Sequence, residues 1–178
     1  ELSEEYWRKG NERISGYNLE KYLISPDETI IAEFNHEKNE INTEMLLEAW
    51  MVDEISKNGF EGEKFDYVTH QVIASPFKPL AYIDKMDIFA YRYLENFPDA
   101  EKPIEKYMVI ELKKGKATKD FPLQLMRYVD WISREYAAGD YSLIKAVGIA
   151  KGYPKGMQII LDEQCKRSYL SDLHPNTT

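Results

Sequence analysis

Val109-Ile110-Glu111-Leu112-Lys113 is the stretch on which the reading of this chain turns. Alternate residues of a strand share a face, so Glu111 and Lys113 point the same way. Val109, Ile110 and Leu112 make their surroundings apolar. A carboxylate and an ammonium at the end of a buried strand cost solvation free energy unless they are paired or bind something. The apolar run argues for a central strand; a surface ion pair on an edge strand is the bland alternative.

Two further strand-like runs precede this one. The first covers about 64–74 and ends at Ser75-Pro76; the second covers about 80–93 and contains Met86-Asp87-Ile88. A stretch holding Pro98 and Pro103 joins the second run to the third as a long hairpin connection, and sequential strands usually pair as a meander. Asp87 is then expected beside Glu111, with Asp84 as its competitor. Two carboxylates on neighbouring strands and the backbone carbonyl of Leu112 supply oxygen ligands of the kind Mg²⁺ (or Mn²⁺) takes. Phosphodiester hydrolysis needs such a set, with Lys113 placing positive charge beside the attacking water or the developing phosphorane.

Beyond the strand, Lys113, Lys114, Lys116 and Lys119 fall within seven residues. They read either as a phosphate-neutralising patch or as a solvated loop. Asp120 is expected to cap a helix running to about Tyr136, with Pro122 in its first turn and Leu125, Tyr128, Ile132 and Tyr136 at helical spacing. Gln124 and Tyr128 stand i,i+4 in its first two turns, where a phosphate is favoured. Gln124 suits orienting a water or the lysine, and Tyr128 and Arg127 suit a phosphate; Tyr128 reads equally well as core. A buried strand over 143–150 and a helix over about 154–165 follow.

Toward the N-terminus, Asn42-Thr43 is expected to open a helix over about 43–57, with Leu47, Trp50, Met51 and Ile55 as its buried stripe and Asn58-Gly59 as its end. Residues 4–23 are weakly helical, Ser25-Pro26-Asp27-Glu28 is a turn, and 29–34 reads as a short strand. The order of helix, three strands, helix, strand and helix predicts an α/β domain with a mixed sheet.

The chain has 178 residues, 43% hydrophobic and 30% charged, a composition for one folded domain. The single cysteine, Cys165, excludes an internal disulfide framework and the usual zinc clusters. It points to a reducing, cytoplasmic compartment. No apolar run reaches the length of a membrane span, and residues 1–5 do not resemble a signal peptide. A start without Met reads as an excised domain or a trimmed end. The net charge of −8 is uneven: residues 1–63 carry 6 Lys+Arg against 16 Asp+Glu, and residues 64–178 carry 17 against 15. A basic patch can therefore sit on an acidic protein. His36, His70 and His174 have no partners at ligand spacing. No His-Glu-x-x-His, phosphate loop or Gly-x-Ser-x-Gly elbow is present.

Asp87 and Glu111-Leu112-Lys113 together resemble the motif of the PD-(D/E)XK nuclease superfamily. Within it, the run from Glu111-Leu112-Lys113-Lys114 through a basic loop to Gln124-Leu125-Met126-Arg127-Tyr128 is similar to the "ELKR…QLKRY" signature of the nuclease domain of NucS-type mismatch endonucleases. Val147-Gly148-Ile149-Ala150 looks like that family's next strand. Thr43-Glu44 with Leu47 resembles the start of its active-site helix, whose Glu supports the metal site. Glu44 is the carried-over acid, with Glu48 as the alternative one turn on.

The resemblance covers roughly 42–165. It implies a restriction-endonuclease-like three-layer fold, with a central mixed β-sheet flanked by helices over 42–178, behind an extension of unmatched role over 1–41. It further implies a divalent-metal-dependent DNA endonuclease using Mg²⁺ or Mn²⁺. Asp87, Glu111, Lys113, Gln124 and Glu44 would be catalytic, and Asp87, Glu111 and the Leu112 carbonyl would hold the metal. Lys114, Lys116, Lys119, Arg127 and Tyr128 would meet DNA. RNA stays open as a substrate, and so does a homodimer, the assembly by which many enzymes of this fold bring two sites to two strands. The hairpin between Asp87 and Glu111 is longer than in the simplest members. The rival expectation is a nuclease-fold protein that binds nucleic acid or a protein partner without cutting.

Overall fold

The computed structural model describes residues 43–75, 84–98 and 102–171, together with the strand residues 34–35, 40–41 and 174–177. The helix expected over 4–23, the turn at 25–28 and most of the strand expected over 29–34 lie outside the described residues. So does the start of the run expected from residue 80.

Two short strands, β1 (Phe34–Asn35) and β2 (Glu40–Ile41), pair with each other. Helix α1 spans Glu44–Asn58 and starts as its sequence dictates. Thr43 is extended, and its hydroxyl accepts from the Leu46 N–H at 3.2 Å, satisfying one orphan donor of the first turn. Gly59 ends the helix at φ 81°, its N–H donating to the Ile55 carbonyl at 2.9 Å. A Cβ at that position would collide with the Glu63 carbonyl. The buried stripe differs from expectation. Met51 and Ile55 are buried and Leu47 packs against them, but Glu48 is also buried and Trp50 is 37% exposed.

The central sheet has the order β3-β4-β5-β6. β3 (Tyr67–Ile73) and β4 (Lys85–Tyr93) are antiparallel, as are β4 and β5 (Ile104–Lys116). Helix α2 (Phe121–Glu135) carries the chain across to β6 (Ile144–Gly152), which runs parallel to β5. A parallel pair requires such a crossover. β5 is therefore paired on both sides, and its six residues from Tyr107 to Leu112 are all buried. A strand covered on both faces reads as a continuous apolar run, which is why Val109–Leu112 looked central.

Alternation along the strands builds a core on each face. Ile88, Ala90, Met108, Ile110 and Leu112 pack on Met51 and Ile55 of α1. Phe89, Tyr107 and Val109 pack on Leu125, Tyr128, Val129 and Ile132 of α2. The result is the three-layer α/β arrangement expected from the sequence, a central mixed sheet flanked by helices. Gly148 of β6 lets α2 approach: a Cβ there would lie 2.6 Å from Cε1 of the Phe121 ring.

Several expectations are corrected. Asp120 does not cap α2 with its side chain; its backbone is already helical, at φ −83° and ψ −10°. Tyr136 lies past the end of α2 and is 47% exposed. β5 runs through Lys116, so the first three lysines of the basic cluster extend a strand. The last helix, α3, is the shorter Met157–Gln164 and buries none of its residues. A small hairpin of β7 (Ser168–Ser171) and β8 (His174–Thr177) follows it, formed by segments too short and polar to read as strands. Among the described residues, no helix is long and apolar enough to cross a membrane.

Candidate active site

The carboxyl end of β5 emerges between the first turns of α1 and α2, and four elements meet there. Glu111 is 1% exposed. The Lys113 ammonium, two residues along the same strand face, approaches its Oε1 to 3.1 Å. That contact lacks hydrogen-bond alignment, and neither Glu111 oxygen has a hydrogen-bond partner among the described residues. Such a buried, under-satisfied carboxylate is costly in a folded protein and calls for a reason.

β4 supplies the second acid. Its ladder with β5 ends at Ile88↔Ile110, so the chain before Ile88 leaves β5. The Leu112 N–H, left without a β4 backbone partner, donates to Asp87 Oδ2 at 2.7 Å. The carboxylate thus takes the place of a ladder carbonyl and is fixed beside Glu111.

The electrostatics follow from this crowding. Burial, and then the negative charge of Asp87, push Glu111 up to about 7, against the pull of Lys113. Burial also raises Asp87. The Leu112 N–H and Lys113 pull it back, and Glu48 and Glu44 push it further up. Lys113 stays above the ordinary lysine value: burial works against its charge, but Glu111, Glu44 and Asp87 together outweigh it. Two carboxyls that resist ionising side by side, with one fixed ammonium, form a site short of positive charge.

α1 contributes Glu44 at its first residue. Its Oε1 lies 3.3 Å from Lys113 Nζ, and its Oε2 accepts from the Lys114 N–H at 3.1 Å. Glu44 therefore borders the site through Lys113. Glu48, one turn on, is buried, and it binds β3: His70 Nδ1 lies 2.9 Å from its Oε1, and Gln71 Nε2 lies 3.0 Å from both oxygens. His70 thus has a partner that sequence spacing did not reveal, across 22 residues. Nothing in the sequence singles out Gln71. Its distinguishing feature is a backbone φ of +54°, which leaves no mark on the residue type.

α2 brings Gln124 and Tyr128. Gln124 Nε2 donates to the Tyr128 hydroxyl at 3.0 Å. Burial raises Tyr128 to about 12; the Gln124 bond opposes this, and the charges of Glu111 and Asp87 add to it. At 2% exposure Tyr128 faces the site from inside the core and does not present its hydroxyl to an external phosphate. Lys114, Lys116, Lys119 and Arg127 are all exposed. Arg127 lines a neighbouring cavity of about 360 Å³ with Asp84, Asp130, Trp131 and Arg134. Asp84, the competitor of Asp87, thus opens onto another cavity.

Among the described residues, no three His, Cys, Asp or Glu side chains cluster closely enough to hold a metal ion by themselves. The residues that could hold a cation are a mixed set: the Asp87 and Glu111 carboxylates and the Leu112 backbone carbonyl. All are hard oxygen donors, which suits Mg²⁺ or Mn²⁺ with waters completing the shell. The unsatisfied oxygens of Glu111 are consistent with such an occupant.

No family model and no curated protein matches the chain. Among solved structures it is similar to the crystal structure of a repair endonuclease from Pyrococcus abyssi, with a TM-score of 0.43 and 24% sequence identity. The match covers 66% of this chain and 43% of that one, so the chain spans less than half the length of the protein it matches.

Proposed function

We propose that this chain is a divalent-metal-dependent nuclease that hydrolyses phosphodiester bonds of DNA, cutting internally. The observation that carries the reading is Glu111, buried at the end of a doubly paired strand beside a second carboxyl and one ammonium, with no aligned hydrogen-bond partner for either oxygen among the described residues. A carboxylate is rarely kept in that state for stability, since a protonated or apolar residue would serve the core better.

Asp87, Glu111 and the Leu112 carbonyl would hold Mg²⁺ or Mn²⁺. When bound, the ion would polarise the phosphoryl oxygen and make hydroxide available near neutral pH. The protein's own groups do the rest. Lys113, kept charged by three acids, places an ammonium where negative charge develops on the attacked phosphate. Glu44 holds that ammonium in place. The Tyr128 hydroxyl, kept neutral by burial, can donate a hydrogen bond into the site, and Gln124 fixes its direction. Lys114, Lys116, Lys119 and Arg127 are exposed and would carry phosphate contacts along the strand of DNA.

Supercoiled plasmid tests the proposal. The purified chain should nick it in Mg²⁺ or Mn²⁺ and leave it intact in a chelator. Asp87→Asn should abolish nicking and cation binding by calorimetry. An intact plasmid at every metal concentration, with no heat of cation binding, would leave a nuclease fold that binds without cutting.

A further inference from the structure

The backbone of the Asp87 segment of β4 is paired from one side only. Its ladder with β5 stops at Ile88↔Ile110. On the other side, β3 continues past it, through His70↔Ile88 and Val72↔Met86. Whatever fixes β3 between those two pairs therefore fixes Asp87. The residue between them is Gln71, abreast of Asp87, and its φ of +54° is a left-handed conformation that an L-residue adopts at a cost.

Glu48 offsets that cost. The residue is 6% exposed, and Gln71 Nε2 lies 3.0 Å from each of its carboxylate oxygens. His70 Nδ1 approaches Oε1 to 2.9 Å. Both Glu48 oxygens are thus engaged with β3. A carboxylate so engaged is poorly placed to serve as a direct ligand, although it stands close enough for its charge to act on Asp87.

We propose that Glu48 and Gln71 are positioning residues. Their bond locks the left-handed kink of β3 against α1 and so sets where Asp87 stands, and Glu48 acts on the site through Gln71. The role assigned to them rests on Asp87 being one of the acids that hold the cation. The placement itself does not depend on that reading.

The Leu112 amide reports the placement directly, because Asp87 is its acceptor. The test uses ¹H–¹⁵N spectra and hydrogen exchange of the full chain without metal. The variants are Gln71→Asn, Glu48→Met, which keeps the length but offers Gln71 no oxygen, and the pair together. Asn tolerates the left-handed backbone but is one methylene too short to reach Glu48. In each single variant the Leu112 amide proton should move upfield and exchange about tenfold faster, while the amides from Phe89 to Arg92 hold their positions. The double variant should match the singles at about tenfold, because both changes break one link.

An unmoved Leu112 amide in Gln71→Asn would overturn the proposal. So would a double variant whose acceleration reaches the product of the two singles, about a hundredfold. If Glu48→Met disturbs the whole β4–β5 ladder, Gln71→Asn carries the test alone. A shifted Leu112 amide in a chain whose wild type never cleaves DNA would sink the nuclease reading and leave the positioning link standing.

Discussion

Glu111→Gln should stabilise the metal-free protein at pH 8 while abolishing cleavage. Burial and the Asp87 charge raise Glu111 from the ordinary 4.5 to about 7. An acid whose folded value is raised holds more protons in the folded state than in the unfolded one between those two values. Its favourable contribution is complete below about 4.5 and is lost as pH rises through about 7. Above that, the metal-free fold carries an ionised, buried carboxylate. Gln keeps the size and never ionises. The gain at pH 8 should therefore approach about 3 kcal/mol, a rise of roughly 6–12 °C in melting temperature for a chain of this length, and should vanish near pH 4. Calorimetric melting of both proteins at pH 4, 6 and 8 in chelator checks this. Equal melting temperatures at pH 8 would show that the Glu111 site carries no such strain. The same titration predicts that the wild type takes up cation with release of a proton below pH 7, so its affinity should weaken about tenfold per pH unit there.

Lys113→Ala should cut the rate of DNA cleavage by about 10²–10³ at saturating metal, the usual scale for removing one group that faces developing charge. Cation binding should persist, because the ammonium is not a ligand. Its pH dependence should move alkaline, since Lys113 is what holds Glu111 down against burial and Asp87. The two readouts separate this role from a purely structural one. Single-turnover cleavage measures the chemical step, and calorimetry at several pH values follows the shift. A variant that cleaves at the wild-type rate would remove Lys113 from the chemistry. A variant that cleaves slowly with an unshifted pH profile would show that its charge does not reach the carboxyls.

The strand carrying Glu111 and Lys113 was legible because its periodicity is strict and its flanks are apolar; the ion pair at 3.1 Å follows from alternation alone. The same holds for Gln124 and Tyr128, whose helical spacing of four matches their bond. The element order predicts a mixed sheet, and the parallel pair of β5 with β6, joined through α2, provides it. What escaped the sequence depends on tertiary context. Glu48 is buried although the sequence favours Glu44, and Trp50 is exposed although helical spacing puts it in the stripe. A helical wheel scores a carboxylate as surface and an indole as core. The peeling of β4 from β5 before Ile88 has no residue signature, yet it turns Asp87 into the acceptor of the Leu112 N–H. The left-handed backbone at Gln71 occurs at a residue type with no preference for it, and its partner lies 23 positions away. Asp120 looked like a cap because Asp is a common one, but the helical turn begins before it and leaves its side chain without that bond.

The central claim is that Asp87, Glu111 and the Leu112 carbonyl surround one hard cation. Anomalous scattering from a crystal of the protein soaked in Mn²⁺ tests it most directly. The predicted result is a single strong peak bonded to both carboxylates and to that carbonyl at about 2.1 Å, the distance of a small divalent cation to oxygen. A peak bound elsewhere, or none at all with Asp87 and Glu111 well ordered, would contradict it.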